Sequence, residues 1–187
     1  MFRRLNIQHS DFSILDYIQE HYRSHTMDRL IPWVTRFGDL GVFWLAFSSM
    51  LLLSEKLRRA GLVMIGAISG GFVAGNLILK NLIRRDRPCW IDPLEDMLVK
   101  IPKDYSFPSG HSIASFAGAG ALLHYSKMLG IPAMVLANLI AFSRMYLYVH
   151  FPTDVIGGAA LGTLSAKIVT AIADKKSAGK EKDDSKG

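Results

Sequence analysis

The chain contains a single cysteine, Cys89, among its 187 residues, which excludes an internal disulfide. It shows no internal repeat, and its length leaves no room for a second domain of ordinary size. It also lacks the apolar stretch that a cleavable signal peptide carries after its first basic residues, since polar residues follow Arg3 and Arg4. We therefore expect one domain, inserted into a membrane by its own hydrophobic segments.

The hydrophobic residues, 50% of the chain, fall in long runs. A helix needs about 20 mainly apolar residues to cross a bilayer. The formal net charge of +6 is compatible with nucleic-acid binding. Much of that charge, however, lies in short loops and in a tail, which is typical of a membrane protein. The sequence therefore predicts a membrane protein with no nucleic-acid partner.

We predict an all-α integral membrane bundle of about five transmembrane helices plus an N-terminal helix. The predicted spans are 33–54, 60–79, 108–126, 131–149 and 153–173. A turn at residues 129–132 is expected to precede the fourth span, because it contains Gly130 and Pro132. Asn76 is interpreted as an interhelical hydrogen-bonding residue, and Arg84 and Arg85 as interfacial anchors.

The two ends of the chain differ from its middle. Ile14 and Ile18 begin an apolar stripe at helical spacing, but the opposite face is too polar to span a bilayer. An amphipathic helix at the interface is favoured over a poorly packed span. The C-terminal end is mostly Lys, Asp, Ser and Gly, which favours disorder. The predicted parts are an N-terminal amphipathic helix region at 1–32, a transmembrane domain at 33–173 and a disordered charged tail at 174–187.

Three polar clusters interrupt the apolar runs on one side of the predicted bundle. The second span ends at Lys80, the third begins at Pro108, the fourth ends near His150 and the fifth begins near Asp154. Alternating direction places all four points on the same membrane face. The clusters are Lys80-x6-Arg87-Pro88, Pro108-Ser109-Gly110-His111 and Ser143-Arg144-x5-His150-x3-Asp154.

Two of these clusters carry a set of cations suited to a phosphate. Lys80, Arg87 and Arg144 suit a tetrahedral anion with more than one negative oxygen. Ser109 and Gly110 follow a helix-starting proline, so backbone N–H groups and the positive helix end can also face the anion. The sequence therefore predicts an anion-binding site at this membrane face.

The two histidines add chemistry to that site. His150 has a carboxylate, Asp154, four residues away, which favours a nucleophilic imidazole, and His111 is a candidate acid for the leaving group. The pattern predicts phosphoryl transfer through a phosphohistidine, with no metal needed to neutralise charge. A purely structural ion pair between His150 and Asp154 is disfavoured, because it leaves the other two clusters unexplained.

Taken together, the three clusters resemble the tripartite signature of the type-2 phosphatidic acid phosphatase superfamily. Its members include lipid phosphate phosphatases and soluble vanadium haloperoxidases, and the small bacterial lipid phosphatases are the similar branch. The matching positions are Lys80, Arg87, Pro88, Pro108, Ser109, Gly110, His111, Ser143, Arg144, His150 and Asp154. The first N-terminal helix, too polar to span, departs from the common six-span pattern of the family.

The resemblance implies roles for these residues. It implies His150 as nucleophile, Asp154 as its orienting carboxylate, and His111 as the group that protonates the leaving oxygen and then helps to activate water. The implied phosphate-binding residues are Lys80, Arg87, Ser109, Gly110 and Arg144. The family generally works without a metal ion, so no metal or cofactor is expected. The expected partners are a lipid phosphate substrate and the bilayer, and no oligomeric state is indicated.

The resemblance also implies an activity, hydrolysis of a lipid phosphate or diphosphate. The candidate substrates are undecaprenyl diphosphate, phosphatidylglycerol phosphate and phosphatidic acid. Basic residues on the opposite face, with Lys56 and Lys127 among them, predict a plasma-membrane protein whose site faces the extracytoplasmic side, which favours undecaprenyl diphosphate. The alternatives are a non-catalytic anion-binding or transport protein, and a phosphotransferase that passes the phosphoryl group to an alcohol.

Overall fold

The computed structural model describes the backbone of residues 2–184 and the side chains of residues 8–179. Within that part of the chain all regular structure is helical. The helices are α1 (Phe2–Tyr22), α2 (His25–Arg36), α3 (Val42–Leu51), α4 (Arg58–Phe72), α5 (Lys80–Ile83), α6 (Pro88–Ile91), α7 (Gly110–Tyr125), α8 (Lys127–Tyr146) and α9 (Pro152–Asp184). A 3₁₀ turn, Asp39–Gly41, precedes α3, and a π-helical segment, Val73–Leu79, joins α4 to α5.

The prediction of an all-α membrane protein is confirmed. Four helical stretches of the described chain have the length and hydropathy to cross a membrane: His25–Leu51, Arg58–Ile91, Lys127–Tyr146 and Pro152–Gly179. The predicted third span forms α7, which has only 16 residues and is shorter than the bilayer requires. Helices α4, α8 and α9 surround α7, so neighbouring helices cover it.

Small residues allow the helices to approach α7 closely. Ala117, Ala119 and Ala121 are fully buried on α7. A methyl group added at Gly158 of α9 would lie 2.6 Å from the carbonyl oxygen of Ser109, so only glycine fits there. The α7–α9 contact therefore fixes the start of α7, where the predicted site residues Gly110 and His111 lie.

The corner between α7 and α8 is shorter than predicted. Residues 129–132 are helical, because α8 already begins at Lys127. Ser126 alone joins the two helices: its N–H donates to the carbonyl of Leu122, and its hydroxyl accepts from the N–H of Leu129. Gly130 then lies against the backbone of Leu123, where a side chain would collide. The expected turn at Gly130 and Pro132 is thus corrected: the glycine serves close packing rather than a bend.

The N-terminal region forms two helices that pack on the site side of the bundle. Leu15 of α1 is fully buried and lies in one cluster with Tyr148 and Phe151. The hydroxyl of Tyr148 also donates to Asp16. The predicted boundary at residue 33 falls inside α2, which begins the first membrane-spanning stretch. The first candidate span thus includes residues 25–32, which the prediction assigned to the N-terminal region.

Helix α9 continues beyond the predicted end of the fifth span. It is helical through residues 174–184, part of the predicted disordered tail, while residues 185–187 lie outside the described chain. Asp174 accepts hydrogen bonds from Arg59 at 2.7 Å and from the hydroxyl of Tyr125 at 3.1 Å. Lys, Ala and Glu have high helix propensity. The charged composition of this segment was therefore not a sufficient reason to predict disorder.

Candidate active site

The three sequence clusters meet in one cavity of about 630 Å³. The side of the cavity formed by α2, the 3₁₀ turn and α4 includes Pro32, Leu40, Ile68 and Phe72. Six of the predicted site residues line the cavity: Lys80, Arg87, Gly110, His111, Arg144 and His150. The same side also carries Thr35, Arg36 and Asp39, so apolar side chains lie beside charged groups in the cavity lining.

His150 faces Arg87 inside this cavity. Nη1 of Arg87 lies 3.0 Å from Nε2 of His150 and also donates to the carbonyl of Val149 at 2.7 Å. Because a guanidinium can only donate, Nε2 must accept, and the ring proton lies on Nδ1. Burial, with the charges of Arg87 and Arg144, holds the pKa of His150 well below its usual range. His150 is thus neutral, with a lone pair on Nε2.

Asp154 lies behind His150, fully buried and outside the cavity lining. Its Oδ2 is 3.7 Å from Nδ1 of His150 and accepts from the hydroxyl of Ser106 at 2.5 Å and from the N–H of Phe151 at 2.9 Å. The Ser106 hydroxyl is itself 3.4 Å from Nδ1. The structure brings Asp154 beside His150 as predicted, and adds Ser106 to the pair.

Arg85 connects Asp154 to helix α1. Its guanidinium donates to Oδ1 of Asp154 at 2.7 Å and to Asp11 at 2.6 Å, and lies over the ring of Phe151. The hydroxyl and the N–H of Thr153 donate to the same Asp11 carboxylate. The interpretation of Arg85 as an interfacial anchor is therefore wrong: its guanidinium is held by two buried carboxylates.

Asp104 pairs with two of the three predicted phosphate-binding cations. Its carboxylate accepts from Nζ of Lys80 at 2.5 Å and from Nη2 of Arg87 at 2.9 Å. Burial opposes ionisation, but the Lys80 hydrogen bond and the positive charges of Arg87 and Lys80 outweigh it and lower the pKa of Asp104 to about 2. Asp104 is therefore ionised at neutral pH.

Arg144 is the third predicted phosphate-binding cation. Unlike Lys80 and Arg87, it has no carboxylate partner among the salt bridges of the described residues. It is buried and lines the cavity, and its Nη1 donates to the hydroxyl of Thr35 at 2.5 Å. Its Nε is buried without a hydrogen-bond partner. Arg144 therefore brings to the cavity a positive charge that no carboxylate of the described residues pairs.

His111 has a carboxylate of its own. Its Nε2 lies 2.9 Å from Oδ1 of Asp39, in the 3₁₀ turn before α3. The preceding residue, Gly38, packs so tightly that an added methyl would lie 2.5 Å from the His111 ring. The 3₁₀ turn is thus built against the histidine, and Asp39 can orient its ring.

The start of α7 presents Gly110 but not Ser109 to the cavity. The N–H of Ser109 donates to the carbonyl of Asp154, and its hydroxyl caps α7 by accepting from the N–H of Ser112. Asn76 lies against Gly110 and lines the cavity, yet its Oδ1 is buried without a partner. The expected interhelical hydrogen bond from Asn76 is not formed among the described residues.

Several residues of the site escaped sequence reasoning. Ser106 and Asp104 lie just before Pro108, so their closeness to a recognised cluster was the available signal. Asp11 and Asp39 are isolated acids far along the chain from their partners and gave no signal. Among residues 8–179, no group of three or more His, Cys, Asp or Glu side chains is arranged to hold a metal ion.

The sequence profile of the PAP2 superfamily matches residues 59–178. An undecaprenyl-diphosphatase from Sulfolobus acidocaldarius is 32% identical over 140 residues, which cover 74% of this chain and 66% of the relative. A decaprenylphosphoryl-5-phosphoribose phosphatase from Mycobacterium tuberculosis is 34% identical, and the match covers 74% and 76% of the two chains. Phosphatidylglycerophosphatase B of Bacillus subtilis is 33% identical, with 77% of each chain covered.

Two solved structures share the fold. The transmembrane PAP2-type phosphatidylglycerolphosphate phosphatase of Bacillus subtilis has a TM-score of 0.74 at 29% identity, covering 91% of this chain and 87% of that one. LpxE of Aquifex aeolicus has a TM-score of 0.73 at 26% identity, covering 86% and 94%. The profile match extends over most of the chain and includes all three clusters. The protein therefore belongs to the PAP2 superfamily.

Proposed function

We propose that this chain is an integral membrane phosphatase that hydrolyses a lipid phosphate or diphosphate, with undecaprenyl diphosphate as the favoured substrate. The observation that carries the proposal is the convergence of Lys80, Arg87 and Arg144 with His150 and His111 on one cavity. Relatives named as phosphatases of lipid-linked phosphates support the activity. The apolar side chains that lie beside the cations suit a lipid that carries an anionic head group.

In the first step, the lone pair of His150 Nε2 attacks the phosphorus atom. The P–N bond forms as the P–O bond to the leaving group breaks, and His111 gives a proton to the leaving oxygen. Asp154 stabilises the positive charge that develops on the His150 ring, either directly or through the Ser106 hydroxyl that bonds to it. Lys80, Arg87 and Arg144 hold the phosphoryl oxygens, whose negative charge they neutralise.

In the second step, water attacks the phosphohistidine. His111, now neutral, accepts a proton from the water, a new P–O bond forms, and the electron pair of the P–N bond returns to Nε2. The products are inorganic phosphate and a lipid that has lost one phosphate group. The protein is restored, because His111 regains the proton that it gave away.

The distribution of basic residues supports a site that faces the extracytoplasmic side of a plasma membrane. The end of the bundle opposite the cavity carries Lys56, Arg58, Arg59, Lys127, Lys175 and Lys176. In the segment that connects α5 to α7 on the cavity side, once the proposed substrate-binding cations are set aside, four basic residues remain: Arg84, Arg85, Lys100 and Lys103. A lipid diphosphate whose head group lies on the extracytoplasmic side of the membrane would meet a site in that position.

A labelling experiment tests the orientation. Cys89 is the only cysteine and is buried, so a thiol reagent should react only with a cysteine introduced elsewhere. Labelling therefore shows on which side of the membrane the introduced cysteine lies. Glu95→Cys lies in the segment on the cavity side, and Glu55→Cys lies in the loop at the opposite end; both glutamates are exposed. In intact cells, a membrane-impermeant thiol reagent is expected to label Glu95→Cys alone. Labelling of Glu55→Cys alone would refute the orientation.

Phosphate release by the purified protein tests the activity. Undecaprenyl diphosphate, phosphatidylglycerol phosphate and phosphatidic acid are assayed with the wild type and with His150→Ala. Loss of the nucleophile should reduce turnover at least about 10³-fold. Turnover that survives in His150→Ala would rule out the phosphohistidine, and complete loss of wild-type activity in EDTA would rule out metal-independent catalysis.

Two other results would replace the proposal. A protein that binds phosphate but releases none from any of the lipids is an anion-binding or transport protein. Transfer of the phosphoryl group to an added alcohol, in place of inorganic phosphate, would identify a phosphotransferase.

A further inference from the structure

Asp104 occupies the donors that the proposed function assigns to the phosphate. Its carboxylate accepts hydrogen bonds from Lys80 and from Nη2 of Arg87, at 2.5 and 2.9 Å. Carboxylate and phosphate oxygens are acceptors of the same kind for ammonium and guanidinium groups. One N–H bond cannot be aimed fully at both, so an arriving phosphate competes with this carboxylate.

We propose that Asp104 is a resident anion, which holds Lys80 and Arg87 until a phosphate group takes its place, and which thereby sets the affinity of the site for phosphate. The inference rests on the proposed function for the identity of the phosphate-binding cations. It adds a residue that determines affinity and that lies outside the three sequence clusters.

The carboxylate can leave without any movement of the backbone. The Asp104 side chain is 56% exposed, whereas its backbone is fixed, since its carbonyl accepts from Nε of Arg87 at 2.7 Å. On either side, the carbonyl of Pro102 accepts from the indole of Trp90, and the N–H of Ser106 donates to the carbonyl of Arg85. Rotation of one side chain is therefore enough to release the two cations.

Arg87 stays in position when the carboxylate is gone. Its guanidinium also donates to the carbonyls of Asp104 and Tyr105, to the carbonyl of Val149 and to His150. These contacts do not involve the Asp104 side chain. Removal of the carboxylate should therefore free one N–H of Arg87 without disturbing its placement beside the nucleophile.

Lys80 behaves differently, because Asp104 is the only salt-bridge partner it has among the described residues. Its side chain is only 9% exposed, so its charge without an anion would be both buried and unpaired. Asp104 therefore stabilises the empty site. By the same reasoning, a site without this carboxylate binds another anion more tightly.

Arg144 gives an incoming phosphate a contact that requires no displacement. It has no salt bridge in the described part of the chain, and it lines the cavity. The three cations thus fall into two kinds: Arg144 is open to an anion, while Lys80 and Arg87 become available by exchange. Such an exchange lets the site bind phosphate without keeping two unpaired cations in the empty state.

The test compares the binding of inorganic phosphate to the wild type and to Asp104→Asn, by isothermal titration calorimetry of the purified full chain in detergent. The substitution keeps the size of the side chain and removes its charge. We expect the Kd for phosphate to fall about tenfold, the effect of removing one nearby negative charge in a partly solvated site. Glu95→Gln removes a charge from an exposed side chain in the same connecting segment and should leave the Kd unchanged.

Kinetics separate this role from a merely structural one. With the lipid that the wild type hydrolyses, Asp104→Asn should lower KM, and inorganic phosphate should inhibit it at lower concentration. A residue that only positions Lys80 would give the opposite pattern, with weaker phosphate binding and a lower kcat. Unchanged or weaker phosphate binding in folded Asp104→Asn overturns the proposal.

Two further measurements keep the outcome decisive. If Asp104→Asn does not fold, Asp104→Ser carries the same test, with the same expected gain in phosphate affinity. Asp104→Glu keeps the charge and should bind phosphate more weakly than either neutral variant. A wild-type protein that hydrolyses no lipid refutes the proposed function, whereas hydrolysis combined with unaltered phosphate binding in Asp104→Asn refutes the resident-anion role alone.

Discussion

Asp11→Asn should loosen the N-terminal helix from the turn that carries His150, the proposed nucleophile. Asp11 is only 2% exposed and accepts from Arg85 at 2.6 Å and from the hydroxyl of Thr153 at 2.6 Å. Breaking a buried ion pair by removing one partner costs about 3–5 kcal/mol. Here Arg85 keeps Asp154 as a partner, and the amide oxygen still accepts one hydrogen bond. We therefore expect a loss of about 2–3 kcal/mol in the free energy of unfolding.

The same substitution should also lower kcat, because Asp11 holds Arg85 and Thr153, and Arg85 in turn holds Asp154 behind the proposed nucleophile. Unfolding in denaturant, with the protein in detergent micelles, measures the stability, and lipid phosphate release measures kcat. Glu20→Gln is the matched control, since Glu20 is an exposed acid on the same helix. If Asp11→Asn is as stable and as active as Glu20→Gln, then α1 does not support the site and the reasoning fails.

Three other predictions follow from single contacts. Asp39→Asn should reduce kcat about 10- to 100-fold by removing the carboxylate beside His111, and a calorimetric Kd for phosphate that weakens equally would show a binding role instead. Gly158→Ala should lower the free energy of unfolding by about 1–3 kcal/mol, whereas Gly179→Ala, which meets nothing within 4 Å, should be neutral or stabilising. Because the pKa of His150 lies well below its usual range, the ring stays deprotonated as the pH falls, so its NMR signal, assigned with His150→Ala, should show no titration with a midpoint near 6.5; such a titration would contradict the burial argument.

The sequence predicted the convergence of the clusters because that convergence depends on topology alone. Spans that alternate in direction bring Lys80, Pro108 and His150 to one face, whatever the details of packing. The residue types then determine the chemistry, since two histidines and three cations have few common uses at a membrane face. For the same reason the boundaries of individual helices mattered little: α8 and α9 are longer than predicted, yet the site residues stay together.

The partners of those residues were not predictable in the same way. Asp39 reaches His111 across 72 positions, and Asp11 reaches Arg85 across 74. Such pairs carry no local pattern, because their spacing is set by the three-dimensional arrangement rather than by helical period. Arg85 shows the consequence. Read locally, it is a basic residue at the end of a span, which normally marks an interface, and only the fold reveals its two buried carboxylates.

The carboxylates near the cavity are of two kinds, buried and exposed, and we infer a structural role for the first kind and a role in binding or catalysis for the second. Asp11 and Asp154 are at most 2% exposed, and each accepts hydrogen bonds from more than one group, so movement of either would break several buried contacts. Asp39 and Asp104 are 59% and 56% exposed and contact groups that the reaction uses.

Both exposed carboxylates line the cavity, where water can take over their hydrogen bonds when a substrate arrives. We infer that the buried pair keeps His150 in place throughout turnover, whereas Asp39 orients His111 and Asp104 balances the charge of the empty site and yields to the substrate. Neutralising a buried carboxylate should reduce stability together with kcat. Neutralising Asp104 should instead alter phosphate affinity first, so the two classes can be told apart by which quantity changes.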